Sequence, residues 1–180
     1  WIFVLDADER AGAGLGPEIR KALGRPSFDA YAPPRKTRYM GRWLLHGEWY
    51  PDHTTRLFRR GAARFVGGVH AKIVVDGPVG RLSIPIEHLG EADLGEQMRK
   101  IERYSSQEAR EMLAAGVNGA AWKSALHPPA RFLKGYIAKG GFLDGWPGFL
   151  AAATTSCHVF AKYAKLKELI ERGGKDEAKS

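Results

Sequence analysis

The chain has 180 residues, of which 44% are hydrophobic and 27% are charged, and its formal net charge at pH 7 is +8. This apolar fraction is typical of a globular protein with a hydrophobic core, and the length suffices for one ordinary domain. The positive charge requires an anionic partner, which is a nucleic acid, a membrane surface or a phosphorylated substrate. No RNA- or DNA-binding motif supports a nucleic acid partner.

A single cysteine, Cys157, excludes an internal disulfide and fits a reducing compartment. His158 follows it directly, but neighbouring residues on a helix do not face each other, so a Cys–His catalytic pair is not predicted. No apolar run approaches the roughly 18 residues that a membrane-spanning helix needs.

The first predicted element is a strand. The apolar run 2–5 ends in acidic residues, which is typical of a strand that is buried on both faces in a parallel sheet. Asp6 and Asp8 then lie at its carboxyl end, where open α/β sheets bind ligands. If the strand geometry continues, the two carboxylates share a face and suit Mg²⁺ or Mn²⁺. The alternative is that they only solubilise a strand end or cap a turn.

The next segments are predicted to form a loop, a helix and an irregular stretch. The glycine-rich segment 11–16 lacks the spacing of a phosphate-binding loop. Pro17 suits a first helical position, and Gly24 suits the end of that helix. The stretch 28–40 alternates aromatic and basic residues around two prolines, which predicts an extended, mobile segment.

Residues 41–75 change to a pattern of short strands and turns, with five apolar residues predicted to be in the core: Leu57, Phe58, Phe65, Ile73 and Val75. Arg56 and Arg59 flank an apolar pair and are candidates for binding phosphates. The following segment 81–88 reads as a strand that Pro85 restricts to the edge of a sheet.

The last ninety residues have helical periodicity. Apolar positions predict a helix from Leu94 to about Ala115, a second helix starting at the Pro128–Pro129 pair and a third starting at Pro147. The last helix combines aromatic residues with three basic residues: Lys162, Lys165 and Lys167. Such a helix either lies in a membrane interface or packs on the rest of the protein, and both interpretations remain open.

Several separated motifs resemble one family in the same order. The segment 1–9, with Asp6-Ala7-Asp8, resembles the D-x-D signature of GT-A nucleotide-sugar glycosyltransferases of family 2. The motifs W-Y-P-D at 49–52, R-L-F-R-R-G at 56–61 and the Val69-His70 pair resemble the acceptor half of bacterial lipopolysaccharide core β-1,4-glucosyltransferases. The likeness continues through Tyr104 and two further segments: F-L-D-G at 142–145 and F-A-K-Y-A-K at 160–165.

This resemblance implies an α/β fold, namely the carboxyl-terminal half of a GT-A (Rossmann-like) sheet followed by a helical extension. Residues 1–92 would form the acceptor and metal half of the catalytic domain, and 93–180 the helical region. Asp6 would meet the ribose of the nucleotide or the metal, and Asp8 and His88 would bind Mg²⁺ or Mn²⁺. The alternative for His88 is a surface histidine that ends a strand. A GT-A domain has strand and helix units before its D-x-D strand, so about 90 preceding residues are expected to be missing.

The general base is the point at which this chain departs from the family. Family members usually have V-H-E where this chain has Val69-His70-Ala71, and the glutamate is the expected base for the acceptor hydroxyl. An alanine methyl group cannot accept a proton, so His70 and Asp52 become the candidates. The chain could instead be a weak or inactive homologue.

The resemblance therefore predicts an inverting, metal-dependent glycosyltransferase. The enzyme would move a hexose from a nucleotide sugar, expected to be a UDP-sugar, to a glycolipid or saccharide acceptor. It would act at the cytoplasmic face of the bacterial plasma membrane. The alternative is a non-catalytic basic module that binds an anionic glycan or membrane lipid.

Overall fold

The computed structural model describes residues 1–66, 72–89, 93–118 and 120–177. The chain folds as two compact units. The first consists of Trp1–Leu45 and Trp49–Glu91, and the second of His46–Glu48 and Ala92–Ser180.

The first unit contains short strands and one helix, α1 (Leu15–Gly24). The strands are β1 (Ile2–Phe3), β2 (Glu9–Ala11), β3 (Ala30–Ala32), β4 (Pro34–Tyr39), β5 (Arg42–Trp43), β6 (Asp52–His53), β7 (Leu57–Phe58), β8 (Ala63–Val66), β9 (Lys72–Val75), β10 (Val79–Arg81) and β11 (Ile86–His88).

These strands form two mixed sheets and a hairpin. The first sheet has the order β1-β7-β3-β10, in which only the β3–β10 pair is parallel. The second has the order β2-β11-β4-β5, with β6 also on β4, and here the β11–β4 pair is parallel. Strands β8 and β9 pair as an antiparallel hairpin. Together with the helices that follow, this confirms the predicted mixed α/β class with a helical extension.

Helix α1 packs on the core of this unit. That core contains five buried side chains: Leu15, Tyr31, Leu57, Leu82 and Ile86. The helix begins at Leu15, two residues before Pro17, because Gly14 adopts a left-handed φ of 91° at its N-cap. Near its start, the Glu18 carboxylate accepts hydrogen bonds from the backbone N–H groups of Ser83 and Ile84 at 2.8 and 2.9 Å.

The stretch 28–40 is not the mobile segment predicted from its prolines. It contains β3, which is buried throughout, and β4, whose first residue is Pro34. Proline is tolerated at the first position of a strand, so this prediction was wrong because tertiary pairing outweighed the local proline signal.

The strand predictions around 2–5 and 81–88 also need correction. Strand β1 has two residues, lies at a sheet edge and pairs antiparallel with β7, and Ile2 remains 39% exposed. Pro85 lies before β11 rather than within a strand, and β11 is central because it pairs with both β2 and β4. Phe65 is 60% exposed instead of buried in the core, although its ring contacts Phe58 edge-on.

The second unit is helical. It contains α2 (Leu94–Ala114), α3 (Ala120–Leu133), a π-helical turn (Lys134–Ala138), a 3₁₀ helix (Gly141–Asp144) and α4 (Gly145–Glu177). Asp93 caps α2 by accepting a hydrogen bond from the Glu96 N–H at 2.7 Å. The predicted helix from Leu94 to about Ala115 is therefore confirmed.

The Pro128–Pro129 pair lies inside α3 and does not start it, so that prediction was wrong. Helix α4 begins two residues before Pro147, close to the predicted start.

Two of the three lysines that were proposed to meet a membrane, Lys162 and Lys165, contact α2 instead. Lys162 and Lys165 form ion pairs with Glu108 and Glu102 of α2, and Lys167 pairs with Glu171 of its own helix. Ala109 and Leu166 are fully buried between the two helices. These contacts favour the packing interpretation for this face of α4. None of the described helices is long and apolar enough to cross a membrane.

Candidate functional site

The acidic segment that follows β1 is a tight turn. The Glu9 N–H donates to the Asp6 carbonyl at 3.0 Å, and the Asp6 N–H donates to Glu9 Oε2 at 3.1 Å. These reciprocal bonds close residues 6–9 into a turn with Ala7 and Asp8 at its tip. Asp6 and Asp8 therefore do not share a strand face, because the strand ends at Phe3.

The Arg56 side chain holds this turn by binding two of its carboxylates. Its Nη2 atom donates to Asp6 Oδ2 at 2.6 Å and to Glu9 Oε1 at 2.7 Å. The Glu9 side chain is fully buried, and the Arg56 side chain is 10% exposed. The cost of removing these charges from water is offset only while they remain paired. The ion pair thus fixes the turn in one conformation, and the Val4 N–H adds a hydrogen bond to the Arg56 carbonyl at 2.8 Å.

The same contacts shift two ionisation equilibria. The hydrogen bond from Arg56 lowers the pKa of Asp6, and partial burial opposes this effect without cancelling it. Burial lowers the pKa of Arg56, but the hydrogen bond and charge of Asp6 and the charge of Glu9 outweigh it and raise the pKa overall. Asp6 is therefore ionised and paired with Arg56.

The lowered pKa of Asp6 predicts an acid-dependent loss of stability. Because the folded-state pKa lies below the ordinary value of 3.8, the ion pair contributes fully above that value and is lost as the pH falls through the folded-state pKa. In urea unfolding curves from pH 7 to pH 2, Asp6→Asn should therefore lose less stability on acidification than the wild type. Parallel curves for the two proteins would contradict the assignment.

Asp8 lies beside His88. Strand pairing places His88 opposite Glu9, and the Leu89 N–H donates to the Asp8 carbonyl at 2.8 Å. As a result, His88 Nε2 lies 3.0 Å from Asp8 Oδ2. Asp8 is 53% exposed and His88 is 22% exposed, so the pair is accessible from solvent.

This pair is suited to a divalent cation as two of its ligands. The two side chains are within hydrogen-bond distance of each other, and an imidazole nitrogen beside a carboxylate oxygen offers two atoms that a divalent cation can bind. Within the described residues, no group of three or more His, Cys, Asp or Glu side chains is arranged to hold a metal. Asp6 is instead bound to Arg56. The metal site stays a prediction, and the structure brings together two of its three proposed ligands.

The candidate bases differ in what the structure describes. His70 and Ala71 lie outside the described residues. Asp52 accepts two hydrogen bonds from Arg35 on one oxygen, Oδ2, at 2.8 and 3.1 Å. Arg35 also lies 3.7 Å from Glu9, so Asp52 belongs to the same charge network as Arg56. The other carboxylate oxygen of Asp52, Oδ1, takes no part in the two hydrogen bonds from Arg35.

Arg59 and Arg56 occupy different surroundings despite their similar sequence context. Arg59 pairs with Asp29 at 2.9 Å and lies over the ring of Trp1, with half of its side chain exposed. It can reach an anionic ligand by exchanging a surface ion pair. Arg56 cannot reach a ligand in this way, because both Asp6 and Glu9 pair with it.

The sequence reasoning missed Glu9 and the contacts of the segment 46–48. The signal for Glu9 was its position three residues after Asp6, which is the spacing of a turn closed by a side chain. In the second unit, buried Asp144 accepts from the His46 N–H and contacts its Nδ1, both at 2.8 Å. Glu48 pairs with Arg131 at 2.7 Å and Lys139 at 3.2 Å. No local sequence pattern links residues 98 positions apart.

Comparison with known proteins identifies relatives. The chain is 28% identical over 170 residues to the lipopolysaccharide core biosynthesis glycosyltransferase LpsC of Rhizobium meliloti, covering 92% of this chain and 63% of that protein. It is 23% and 24% identical to uncharacterized glycosyltransferases of Rickettsia prowazekii and Rickettsia typhi, covering 94% of this chain and 62% of each. The chain thus spans somewhat less than two thirds of the length of these relatives.

No protein-family profile matches the chain, and no solved structure matches it either. The sequence matches nevertheless extend over nearly the whole chain, through both units, and they confirm the resemblance recognised from its motifs. Over nearly its whole length, the chain is thus similar to bacterial proteins named as glycosyltransferases, one of them for lipopolysaccharide core biosynthesis.

Proposed function

We propose that this chain carries the metal and acceptor side of an inverting glycosyltransferase that moves a hexose from a nucleotide sugar to a glycolipid acceptor. The proposal includes a GT-A catalytic fold and action at the cytoplasmic face of the plasma membrane. The observation that carries it is the position of Asp8, which lies at the tip of a turn fixed by a buried arginine and is 3.0 Å from His88 of strand β11.

The chemistry of these residues fits the proposed reaction. A divalent cation held at Asp8 and His88 would neutralise the diphosphate of the donor and of the leaving group. Carboxylate and imidazole together suit Mn²⁺ better than Mg²⁺, which prefers oxygen ligands. The protein itself supplies a rigid support, because Arg56 and Glu9 hold the turn that presents Asp8.

The test is metal-dependent binding of a nucleoside diphosphate. In isothermal titration of the full-length protein, UDP should bind in the presence of Mn²⁺ and much more weakly in EDTA. His88→Ala should reduce the Mn²⁺-dependent part, whereas Lys36→Ala, which removes a cation from the same sheet, should retain it. Equal binding with and without metal would instead favour a basic module that binds anionic glycan or lipid.

The identity of the general base gives a second test. If His70 accepts the proton, His70→Ala should lower turnover by about 10²-fold or more and flatten the acidic limb of the pH–rate profile. Ala71→Glu should then help little. If the enzyme instead lacks a base, Ala71→Glu should raise turnover by a similar factor. Changes below about threefold in both variants would contradict both assignments and leave Asp52→Asn as the next variant to measure.

A further inference from the structure

The second unit leaves a set of large apolar side chains about half exposed or more. Each is between 49% and 62% exposed, and together they define the apolar face: Trp122, Leu126, Leu133, Ile137, Phe142, Leu143 and Trp146. Scattered exposed leucines are ordinary on protein surfaces, but a concentration of this kind within one short segment indicates an interaction surface.

The apolar face follows the helical geometry. Trp122, Leu126 and Leu133 recur at intervals of four and seven residues, which places them on one side of α3. Ile137 is four residues further, in the π-helical turn, and Phe142 and Leu143 occupy the 3₁₀ helix.

The two tryptophans of the apolar face each pack on a neighbouring ring. Trp122 packs edge-on against His127 at 5.5 Å, and Trp146 stacks on Phe149 at 5.3 Å. Each indole therefore packs on one ring while more than half of the side chain stays exposed. A preorganised aromatic side chain loses little conformational entropy when it is buried by a partner.

Charge distinguishes between the possible partners. Residues 112–167 contain seven lysines and arginines and one acidic residue, the buried Asp144. Five of the cations pair with glutamates of the second unit, whereas Lys123 and Lys134 have no acidic partner among the described residues. Lys123 and Lys134 directly follow Trp122 and Leu133, so cations flank the apolar stripe. The cores of protein interfaces are depleted in lysine, whereas tryptophan and lysine beside leucine are typical of surfaces that lie in a membrane interface.

We propose that the apolar face docks onto an anionic lipid bilayer, with its aromatic and aliphatic side chains in the interfacial region and Lys123 and Lys134 against the headgroups. An open groove of about 540 Å³ between α3 and α4, lined in part by Pro128, Phe132 and Phe160, adds apolar surface on the neighbouring side of α3. The docking deepens the proposed function, because a glycolipid acceptor lies in the same bilayer, but it depends on none of the residues proposed to bind metal.

The experiment is co-sedimentation of the full-length protein with vesicles of phosphatidylglycerol and phosphatidylethanolamine. Trp122→Gln/Trp146→Gln should reduce partitioning by about tenfold or more, because the exposed indoles supply apolar area to the interface. Lys123→Gln/Lys134→Gln should weaken binding to anionic vesicles by a similar factor and reduce its salt dependence. The matched control is Phe65→Gln, an aromatic residue of the first unit that is 60% exposed, and it should bind like the wild type.

Circular dichroism and UDP titration with Mn²⁺ in vesicle-free solution keep the result interpretable, and both should be unchanged in the two double variants. Equal vesicle binding by the tryptophan variant and the wild type would overturn the proposal. Failure of the wild type to bind vesicles, together with concentration-dependent dimers that the tryptophan variant abolishes, would assign the face to a second copy of the chain. If UDP binding required no metal while vesicle binding behaved as expected, the proposed function would fail and the docking surface would stand.

Discussion

Replacing Arg56 by methionine is expected to lower the free energy of unfolding by about 3 to 5 kcal/mol, because the fully buried Glu9 would lose its hydrogen-bonded cation and keep only Arg35 at 3.7 Å. Methionine retains most of the aliphatic length, so the loss arises from the charge rather than from a cavity. Urea unfolding at pH 7 measures the effect. The matched control is Arg64→Met, whose partner Asp76 is 79% exposed, and it should cost less than about 1 kcal/mol.

A double variant separates the ion pair from packing. In Arg56→Met/Glu9→Leu the buried charge is removed together with its partner, so much of the lost stability should return. Similar destabilisation in the single and double variants would show that Arg56 acts through packing or through Asp6 alone. Nearly equal costs for Arg56→Met and Arg64→Met would contradict the structural role of the buried pair.

The second large effect is expected for Asp8. In the full-length protein, Asp8→Ala should reduce sugar transfer by at least about 10²-fold while changing the free energy of unfolding by less than about 1 kcal/mol. The physical reason is that half of the side chain is exposed at the tip of the turn, where it contributes little to folding. Transfer is measured as release of nucleoside diphosphate, with and without Mn²⁺.

Asp76→Ala is the control for this variant, because it removes an exposed carboxylate next to strand β9 without changing the Asp8–His88 pair. It should retain full turnover. If Asp8→Ala kept more than about a tenth of the wild-type turnover, a loss below roughly 1.4 kcal/mol, Asp8 would not be the metal residue.

Local sequence signals predicted the elements that depend mainly on neighbouring residues. The helix that begins after Asp93 was predictable because the cap and the apolar period lie within the segment itself. The short strands between 42 and 75 were predictable from the turn residues that separate them. The motifs around Asp6, Trp49 and Arg56 sufficed to recognise the glycosyltransferases, since several matches in one order seldom arise by chance.

Other features depended on residues far apart in the sequence. By local pattern Pro34 and Pro85 are breakers, yet the first opens a central strand and the second precedes one, because sheet pairing is decided by partners that the local pattern does not specify. The predicted helix start at Pro128 was wrong, because α3 already begins at Ala120 and continues through the proline pair, where Ser156 of α4 donates to the Pro128 carbonyl.

For the candidate site, the sequence determined which groups were available and the tertiary structure decided how they are used. Two aspartates separated by one residue suggested a shared metal, but a buried arginine 50 residues away binds Asp6, and strand pairing gives Asp8 the histidine 80 residues away. Ion pairs depend on distance in space, and a spacing of two along the chain carries that information only while the backbone stays extended. Here the strand ends at Phe3 and residues 6–9 form a turn, so the two carboxylates take different partners.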